Sequence, residues 1–416
     1  MNPATPPPTP WRQIGLALGP AAVLGLGRFA YGLFVPAMSE DLRWTLAEAG
    51  RLTTANGVGY LLGAVLAAAV IRRIGLTATF RAGMILTAMS LAATGLGLLL
   101  AARAAAGFGG ALTFVAGAAL ATRLATLTGR LTPVAVYFGG AGGGIAITGG
   151  AVPILLNAHA DRWAAGWWLL AAAAALATVG SWRAAALAPA PVADADRGER
   201  RLSRHWRIAA SYLLFGAGYI GYLTFLSAYL ADRQAPLPLV CVTWILIGVS
   251  AMAAPVLWNR PIAAWPGNRA LRLMLLGIAT AAALAWLVPT PAGMIASALL
   301  FGLAFMMVPA AVTTYIGRTV PPHALSATLG VFTVLFAIGQ SAGPWVSGVL
   351  ADRTGAGTTL TVAALLCALA AALVSGRSLA REKCDGAPVT SAAGGAAPVS
   401  GRSALLRRGR CAGPGR

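Results

Sequence analysis

Long apolar stretches alternate with short polar or proline-containing breaks along most of the chain. Many of these stretches reach about 18 residues or more, the length at which an α-helix can cross a bilayer core. The pattern predicts an all-α membrane protein with twelve transmembrane helices, at residues 13–37, 50–71, 79–101, 104–124, 133–156, 164–186, 208–231, 237–258, 269–289, 291–316, 325–350 and 356–376.

One long polar stretch interrupts this pattern between the sixth and the seventh predicted helix. It divides the chain into a six-helix bundle at 13–187, a linker at 188–207 and a second six-helix bundle at 208–378. Residues 1–12 form a short tail. Residues 379–416 are rich in Gly, Ala, Ser, Pro and Arg, a composition that predicts a disordered basic tail.

The two predicted bundles share a sequence pattern. GLGRFAYGLF at 25–34 and GAGYIGYLTF at 216–225 carry glycine, glycine, tyrosine and phenylalanine at the same spacing, with an offset of 191 residues. The repeat predicts two pseudo-symmetric halves.

Composition and charge agree with a polytopic membrane protein. Hydrophobic residues make up 58% of the chain and charged residues 10%, against about 25% charged residues in a typical soluble domain. Most arginines fall on the side of the predicted chain ends, whereas the opposite side holds five: Arg43, Arg51, Arg162, Arg233 and Arg353. This asymmetry predicts an inner-membrane protein with both termini in the cytoplasm. The net charge of +20 then reflects topology and contact with lipid, and no nucleic-acid partner is expected.

The titratable residues argue against catalysis or metal binding. All eleven acidic residues fall in predicted loops, helix ends or the tail, as do His159, His205 and His323. No nucleophile with its base and no set of metal ligands converges at one membrane depth. We therefore expect that the protein is not an enzyme and has no catalytic residues, metal or cofactor. We also expect a monomer.

Arg28 lies a little past the middle of the first predicted helix. A charge at that depth costs at least about 2.5 kcal/mol, so an intramembrane arginine favours a functional role. Its planar guanidinium suits a carboxylate or a phosphate, which makes an anion clamp one hypothesis. The other is a structural arginine held by a tyrosine, an asparagine or a free backbone carbonyl. Both interpretations stay open.

Two motifs resemble those of major facilitator superfamily transporters. In predicted helix 11, five residues resemble the glycine–proline motif of that superfamily, with close packing and a bent helix as the implied role: Gly330, Gly339, Gly343, Pro344 and Gly348. In predicted helix 4, Arg103 four residues before Gly107 is similar to a second motif and implies proton coupling. The alternative for Arg103 is a side chain that extends from a helix end to the interface.

A narrower resemblance spans most of the membrane region. It rests on RFAYG at 28–32, on Asn56 with the following GYLLGA at 59–64, and on FGAGYI at 215–220. These segments resemble the YbfB/YjiJ-type branch of the superfamily. The resemblance implies a secondary active transporter that works by alternating access, with two bundles around a central cavity.

In this architecture the first helix of each three-helix repeat lines the cavity, where the substrate binds. The candidate substrate-binding residues are therefore Arg28, Tyr31, Asn56, Tyr60, Tyr219, Tyr222 and Gln340. For the tyrosines, packing in the core is the alternative.

Arg28 favours a small organic anion as substrate. Efflux of a hydrophobic or cationic compound and a non-transporting receptor are the alternatives. Since no acid lies within a predicted helix interior, coupling to a proton would use a helix-end acid, such as Glu48 or Asp232, or the substrate itself.

Overall fold

The computed structural model describes residues 10–130, 132–158, 160–186 and 205–375. In this part of the chain twelve helices are long and apolar enough to cross a membrane, and no strand occurs. They are α1 Pro10–Leu42, α2 Leu46–Ile74, α3 Leu76–Gly95, α4 Leu99–Thr128, α5 Thr132–Ala158, α6 Trp163–Ser181, α7 Trp206–Asp232, α8 Leu237–Ala264, α9 Arg269–Leu287, α10 Pro291–Thr319, α11 Pro322–Thr354 and α12 Gly357–Val374. The predicted twelve-helix fold is confirmed. Most of the predicted linker and all of the predicted basic tail lie outside the described residues.

Two of these helices change conformation near their middle. α1 consists of an α-helical segment Pro10–Pro20, a π-helical segment Ala21–Phe29 and a second α-helical segment Tyr31–Leu42. α10 is interrupted between Pro291–Phe305 and Val308–Thr319, and the second part begins beside a proline, which lacks the N–H that a regular helix needs. Irregular backbone at membrane depth is tolerated where it is buried in protein or lines a cavity.

The boundary between α3 and α4 differs from the sequence prediction. α4 was expected to begin at residue 104, but it begins at Leu99. The turn contains Gly97 with φ 86°, a conformation that glycine adopts without strain. Since the sequence around this turn is continuously apolar, hydropathy alone does not mark it. Arg103 therefore lies inside α4 rather than at its end.

Burial repeats between the two halves at the offset of 191 residues. The buried positions of α3 are residues 79, 80, 83, 84, 87, 90, 91 and 94, and those of α9 are residues 270, 271, 274, 275, 278, 279, 281, 282 and 285. At the offset of 191 the inward faces of the two helices thus correspond at every buried position except residue 279, whose counterpart, residue 88, is half-buried. This match supports the predicted pseudo-symmetry.

α1 and α7 occupy the centre of the molecule. In the most apolar 18-residue stretch of each helix, 89% of the residues of α1 and 83% of those of α7 are buried, against 33% to 61% in the other ten helices. The two bundles meet where α1 packs on α7, α2 on α11 and α5 on α8. At the last of these contacts a Cβ added to Gly142 would lie 2.5 Å from the carbonyl oxygen of Gly248, so the backbones approach as only small residues allow.

Since the number of spans is even, the first and last described helix ends lie on one side of the membrane. We name this side, which holds Pro10 and Val374, the terminus side. The opposite side, which holds the turns after α1, α7 and α11, is the distal side.

Candidate functional site

The irregular segment of α1 carries Arg28. The N–H of Ala30 donates to the carbonyl of Gly25 at 3.0 Å, a hydrogen bond that spans one residue more than in an α-helix. Only 5% of the Arg28 side chain is exposed. π-Helical turns occur frequently at functional sites, and this one ends beside a buried cation.

Arg28 reaches across to the second bundle. Its Nη2 donates to Oε1 of Gln340 on α11 at 2.8 Å, and the same oxygen accepts a hydrogen bond from the hydroxyl of Tyr219 on α7 at 3.0 Å. The guanidinium also lies 5.1 Å from the ring centroid of Tyr60 on α2. Four of the seven predicted substrate-binding residues therefore converge: Arg28, Tyr60, Tyr219 and Gln340. We name them the central cluster.

The central cluster retains unused hydrogen-bond donors. Nε of Arg28 and Nε2 of Gln340 are buried and have no hydrogen-bond partner. No carboxylate from the described residues contacts Arg28, so its charge is not neutralised within that part of the protein. Buried donors without partners are costly, and an acceptor that binds both bundles would relieve this cost.

Aromatic side chains form one wall of the central cluster. Tyr219 stacks on Phe215, Phe305 and Phe336 with centroid distances of 4.8, 6.1 and 5.8 Å. Phe305 is the last residue before the interruption of α10, and Phe29 of α1 meets its ring edge-on at 5.8 Å. The wall therefore contains residues of both bundles.

The other three predicted substrate-binding residues have partners elsewhere. Tyr31 donates to the carbonyl of Ala49 at 2.7 Å. Tyr222 shares a hydrogen bond of 2.7 Å with Ser297 on α10. Asn56 donates to the carbonyl of Arg103 at 3.0 Å, while its Oδ1 has no hydrogen-bond partner. Arg28 and Tyr31, like Tyr219 and Tyr222, are three residues apart, but their hydrogen-bond partners lie on different helices.

Arg103 is completely buried within the first bundle, so it does not extend to the membrane interface. Its Nη1 donates to the carbonyl of Gly27 at 2.5 Å, in the π-helical segment beside Arg28. The guanidinium lies 5.2 Å from the ring centroid of Tyr31 and 5.3 Å from that of Trp167. Arg103 thus connects α4 to the helix segment that carries the central cluster.

The glycines of the predicted glycine–proline motif in α11 lie in three different environments. A Cβ at Gly343 would lie 2.5 Å from the carbonyl oxygen of Ala217, and one at Gly339 would overlap the backbone of Leu213, so both glycines pack on α7. Gly348 packs on the start of α2, where a Cβ would lie 2.5 Å from a carbonyl oxygen. Among the described side chains, none lies within 4 Å of an added Cβ at Gly330. Pro344 does not interrupt the helix, which runs through it.

The sequence analysis missed a set of contacts that join the bundles on the distal side. Asp352 at the end of α11 accepts hydrogen bonds from the backbone N–H groups of Leu46 and Ala47 at 2.7 and 3.2 Å and so caps α2. Thr54 donates to the carbonyl of Ser341 at 2.6 Å. Such partners lie far apart in the chain, so no local pattern marks them.

A further interbundle contact joins α2 to α7, where the hydroxyl oxygens of Thr53 and Thr224 are 3.3 Å apart. These hydrogen bonds between the bundles lie between the depth of Arg28 and the distal ends of the helices. They hold the two bundles together on the distal side in this conformation. No group of three or more His, Cys, Asp or Glu side chains that could hold a metal ion occurs among the described residues.

Comparison with known proteins assigns this geometry to a known architecture. Residues 21–376 match the model of a family described as the uncharacterised MFS-type transporter YbfB. None of the curated proteins compared in sequence matches the chain.

Solved transporters share the fold. The nucleoside transporter NupG superposes with a TM-score of 0.67 at 14% identity, covering 88% of this chain and 98% of that chain. The D-xylose-proton symporter gives 0.68 at 13% identity, covering 88% and 96%. The human organic anion transporter MFSD10 gives 0.61 at 18% identity, covering 88% and 100%. At such identities the likeness shows the fold alone.

Proposed function

The chain belongs to the YbfB family of MFS-type transporters, and from that premise we propose that it moves a small organic anion across the membrane by alternating access. The observation that carries the proposal is the position of Arg28. A buried guanidinium lies between the bundles, contacts no described carboxylate and keeps one donor unused. An anion from outside the protein is the partner that this arrangement accommodates.

In this proposal the side-chain oxygen of Gln340 occupies the position that a carboxylate oxygen of the substrate takes when the substrate binds. Oε1 of Gln340 accepts hydrogen bonds from Arg28 and Tyr219, the two donors that a carboxylate oxygen would use. A substrate carboxylate forms a stronger, charge-assisted bond with the guanidinium than a neutral amide does. The substrate therefore displaces the amide oxygen from Arg28, while Nε2 of Gln340 becomes an additional donor to the anion.

Displacement at the central cluster is coupled to movement of the bundles. The bond between Arg28 and Gln340 connects α1 to α11, and α11 also carries Asp352, which caps α2 on the distal side. When the anion replaces the bond at the centre, the contacts that hold the distal side closed are weakened and that side opens. Alternating access in this fold is largely a rocking of one bundle against the other.

Coupling to a proton, as in the D-xylose-proton symporter, is best served by the substrate's own carboxyl group. Arg28 has no acid among its contacts in the described chain, so no side chain beside it offers a carboxyl group that could carry the proton. The helix-end acids Glu48 and Asp232 are the other candidates for carrying the proton. For Arg103, the bond to Gly27 supports a role in holding α1.

The proposal includes the side of the membrane on which the chain ends lie. The bias of arginines towards the terminus side supports an inner-membrane protein with both chain ends in the cytoplasm. The contacts that join the bundles on the distal side then lie towards the outside of the cell. Labelling of single cysteines introduced at Arg73 and at Arg353 tests this, because only the residue 353 cysteine should react with an impermeant reagent added from outside.

Efflux of hydrophobic or cationic compounds is the second candidate, favoured by the aromatic wall of Phe215, Tyr219, Phe305 and Phe336.

Uptake into proteoliposomes separates the candidates. Radiolabelled mono- and dicarboxylates are offered in one set and lipophilic cations in another, with empty liposomes as control. Uptake of a carboxylate is expected. Uptake of cations alone contradicts the proposal, and ligand binding without uptake of either set indicates a receptor.

A further inference from the structure

A groove of about 440 Å³ opens on the membrane-facing surface of the second bundle, on its terminus side. It lies where α8 ends and α9 begins, and its lining consists of Trp265, Arg269, Arg272, Leu273 and Leu276. The groove is remote from the central cluster, so the transport site does not explain it.

The lining residues of α9 are arranged by polarity along one helix face. Positions 269, 272, 273 and 276 follow the spacing of neighbours on a helix surface. The two arginines lie in the first turn, at the membrane edge, and the two leucines lie deeper. Leu273 and Leu276 are 47% and 39% exposed and lie one to two turns further along α9 than Arg269. The face is thus cationic at the interface and apolar below it.

The equivalent position in the first bundle shows what Arg272 lacks. At the offset of 191 residues Arg272 corresponds to Arg81 on α3. Arg81 donates to the carbonyl of Trp182 at 2.6 Å and lies 4.2 Å from the centroid of its ring. Arg272 and Arg269 are exposed and have no hydrogen-bond or ring partner among the described residues. The first bundle supplies a protein partner at this position, whereas the second presents two guanidinium groups to the groove.

We propose that this groove binds an anionic phospholipid. Arg269 and Arg272 hold the phosphate-bearing headgroup, the ring of Trp265 lies at the level of the headgroup, and an acyl chain runs along Leu273 and Leu276. Charge complementarity selects an anionic headgroup, and basic pockets at membrane edges bind such lipids. The leucines select a lipid over a free anion because they offer apolar surface that continues into the bilayer.

Native mass spectrometry of the purified full-length protein in detergent tests the proposal. The protein is titrated with phosphatidylglycerol and, separately, with phosphatidylcholine of the same acyl chains, and the stoichiometry and affinity of bound lipid are measured. The test variant is Arg269→Ala/Arg272→Ala. The matched control is Arg72→Ala/Arg73→Ala, which removes two exposed arginines from the terminus-side end of α2.

We expect one phosphatidylglycerol to bind more tightly than phosphatidylcholine, and the test variant, which lacks two arginines, to lose about 30-fold in affinity, since each arginine near a lipid surface contributes about 1 kcal/mol. The control variant should bind as the wild type does. Equal losses in both double variants, or equal binding of the two lipids, overturn the proposal.

Two further experiments test whether charge is what binds the headgroup and whether the ligand is a lipid rather than a free anion. Arg272→Lys, which retains the charge, should lose less affinity than Arg272→Ala, and both should remain folded because the residue is exposed. Inorganic phosphate is tested as a stabiliser of the wild type in a thermal unfolding assay. If it raises the unfolding temperature as much as phosphatidylglycerol does, the groove is a site for free anions and the lipid proposal is wrong.

Discussion

Two arginines are buried in the first bundle, and they differ in what holds them. Arg103 on α4 binds the carbonyl of Gly27 and lies near the rings of Tyr31 and Trp167, all within the same bundle. Arg28 on α1 binds Gln340 of the other bundle. Neither arginine contacts a carboxylate of the described residues.

The difference separates a structural cation from one suited to function. The bond made by Arg103 lies inside a unit that moves as a whole, so it can persist throughout a transport cycle. The bond made by Arg28 crosses the interface between two moving units, so it must break whenever they rearrange. Nε of both arginines is buried without a hydrogen-bond partner, so neither burial nor an unused donor identifies the binding residue. The position of Arg28 at a moving interface is what distinguishes it.

Replacement of Arg28 should give the largest effect. Arg28→Ala is expected to lower carboxylate uptake into proteoliposomes by about 100-fold, because a charge-assisted bond to the substrate is lost. Folded yield should stay near that of the wild type, since the variant also removes the cost of a buried charge. Arg28→Lys should recover only part of the uptake, because the planar fork is missing. Unchanged uptake in the alanine variant would remove the distinction between the two arginines.

Gln340→Glu sharpens the comparison by giving Arg28 a permanent carboxylate. The new side chain should form a salt bridge across the bundles in place of the present 2.8 Å hydrogen bond and compete with the substrate. We expect uptake to fall at least about tenfold while the unfolding temperature rises, since the charge-assisted bond is the stronger one. Gln340→Leu is the control, because it removes the bond without supplying a charge. Wild-type uptake by the glutamate variant would show that Gln340 does not occupy the place of the anion.

Arg103→Met tests the other side of the comparison, with the residue type that occupies the equivalent position 294 of the second bundle. The change leaves the carbonyl of Gly27 without its donor, which costs about 1–3 kcal/mol when a buried group stays unsatisfied. The unfolding temperature and the folded yield should both fall. Uptake per folded molecule should change by no more than about threefold, the scale of an interaction below 1 kcal/mol. A variant that is stable but inactive would instead support direct proton coupling by Arg103.

The smallest effects are expected from two tyrosines. Tyr219→Phe removes the hydroxyl that donates to Gln340 and should shift the apparent affinity for substrate by about two- to fivefold, with yield unchanged. Tyr31→Phe removes a hydrogen bond to Ala49 and should lower stability with affinity unchanged. Saturation curves and thermal unfolding of both variants measure the two responses, and identical responses would contradict the assignment of Tyr31 to the packing of the first bundle.

The sequence predicts the fold well because the membrane imposes a length and a polarity on each helix. It also selects Arg28 and Gln340, since polar side chains in apolar helices are conspicuous. It does not join them as partners, because 312 residues separate them along the chain. Spacing on an ideal helix grouped Arg28 with Tyr31, whereas the two side chains form hydrogen bonds to different helices, and the helix between them contains π-helical turns. The α3–α4 turn was misplaced because Gly97 is embedded in apolar sequence.

Ligand-induced stabilisation of the purified protein tests the central claim most directly, because a ligand stabilises the state that it binds. Wild type and Arg28→Ala are heated with a panel of organic anions and with lipophilic cations at matched ionic strength. We predict that at least one carboxylate raises the unfolding temperature of the wild type and leaves that of Arg28→Ala unchanged. Stabilisation of both proteins by the same anion, or of the wild type by cations alone, would contradict the proposal that Arg28 binds the substrate.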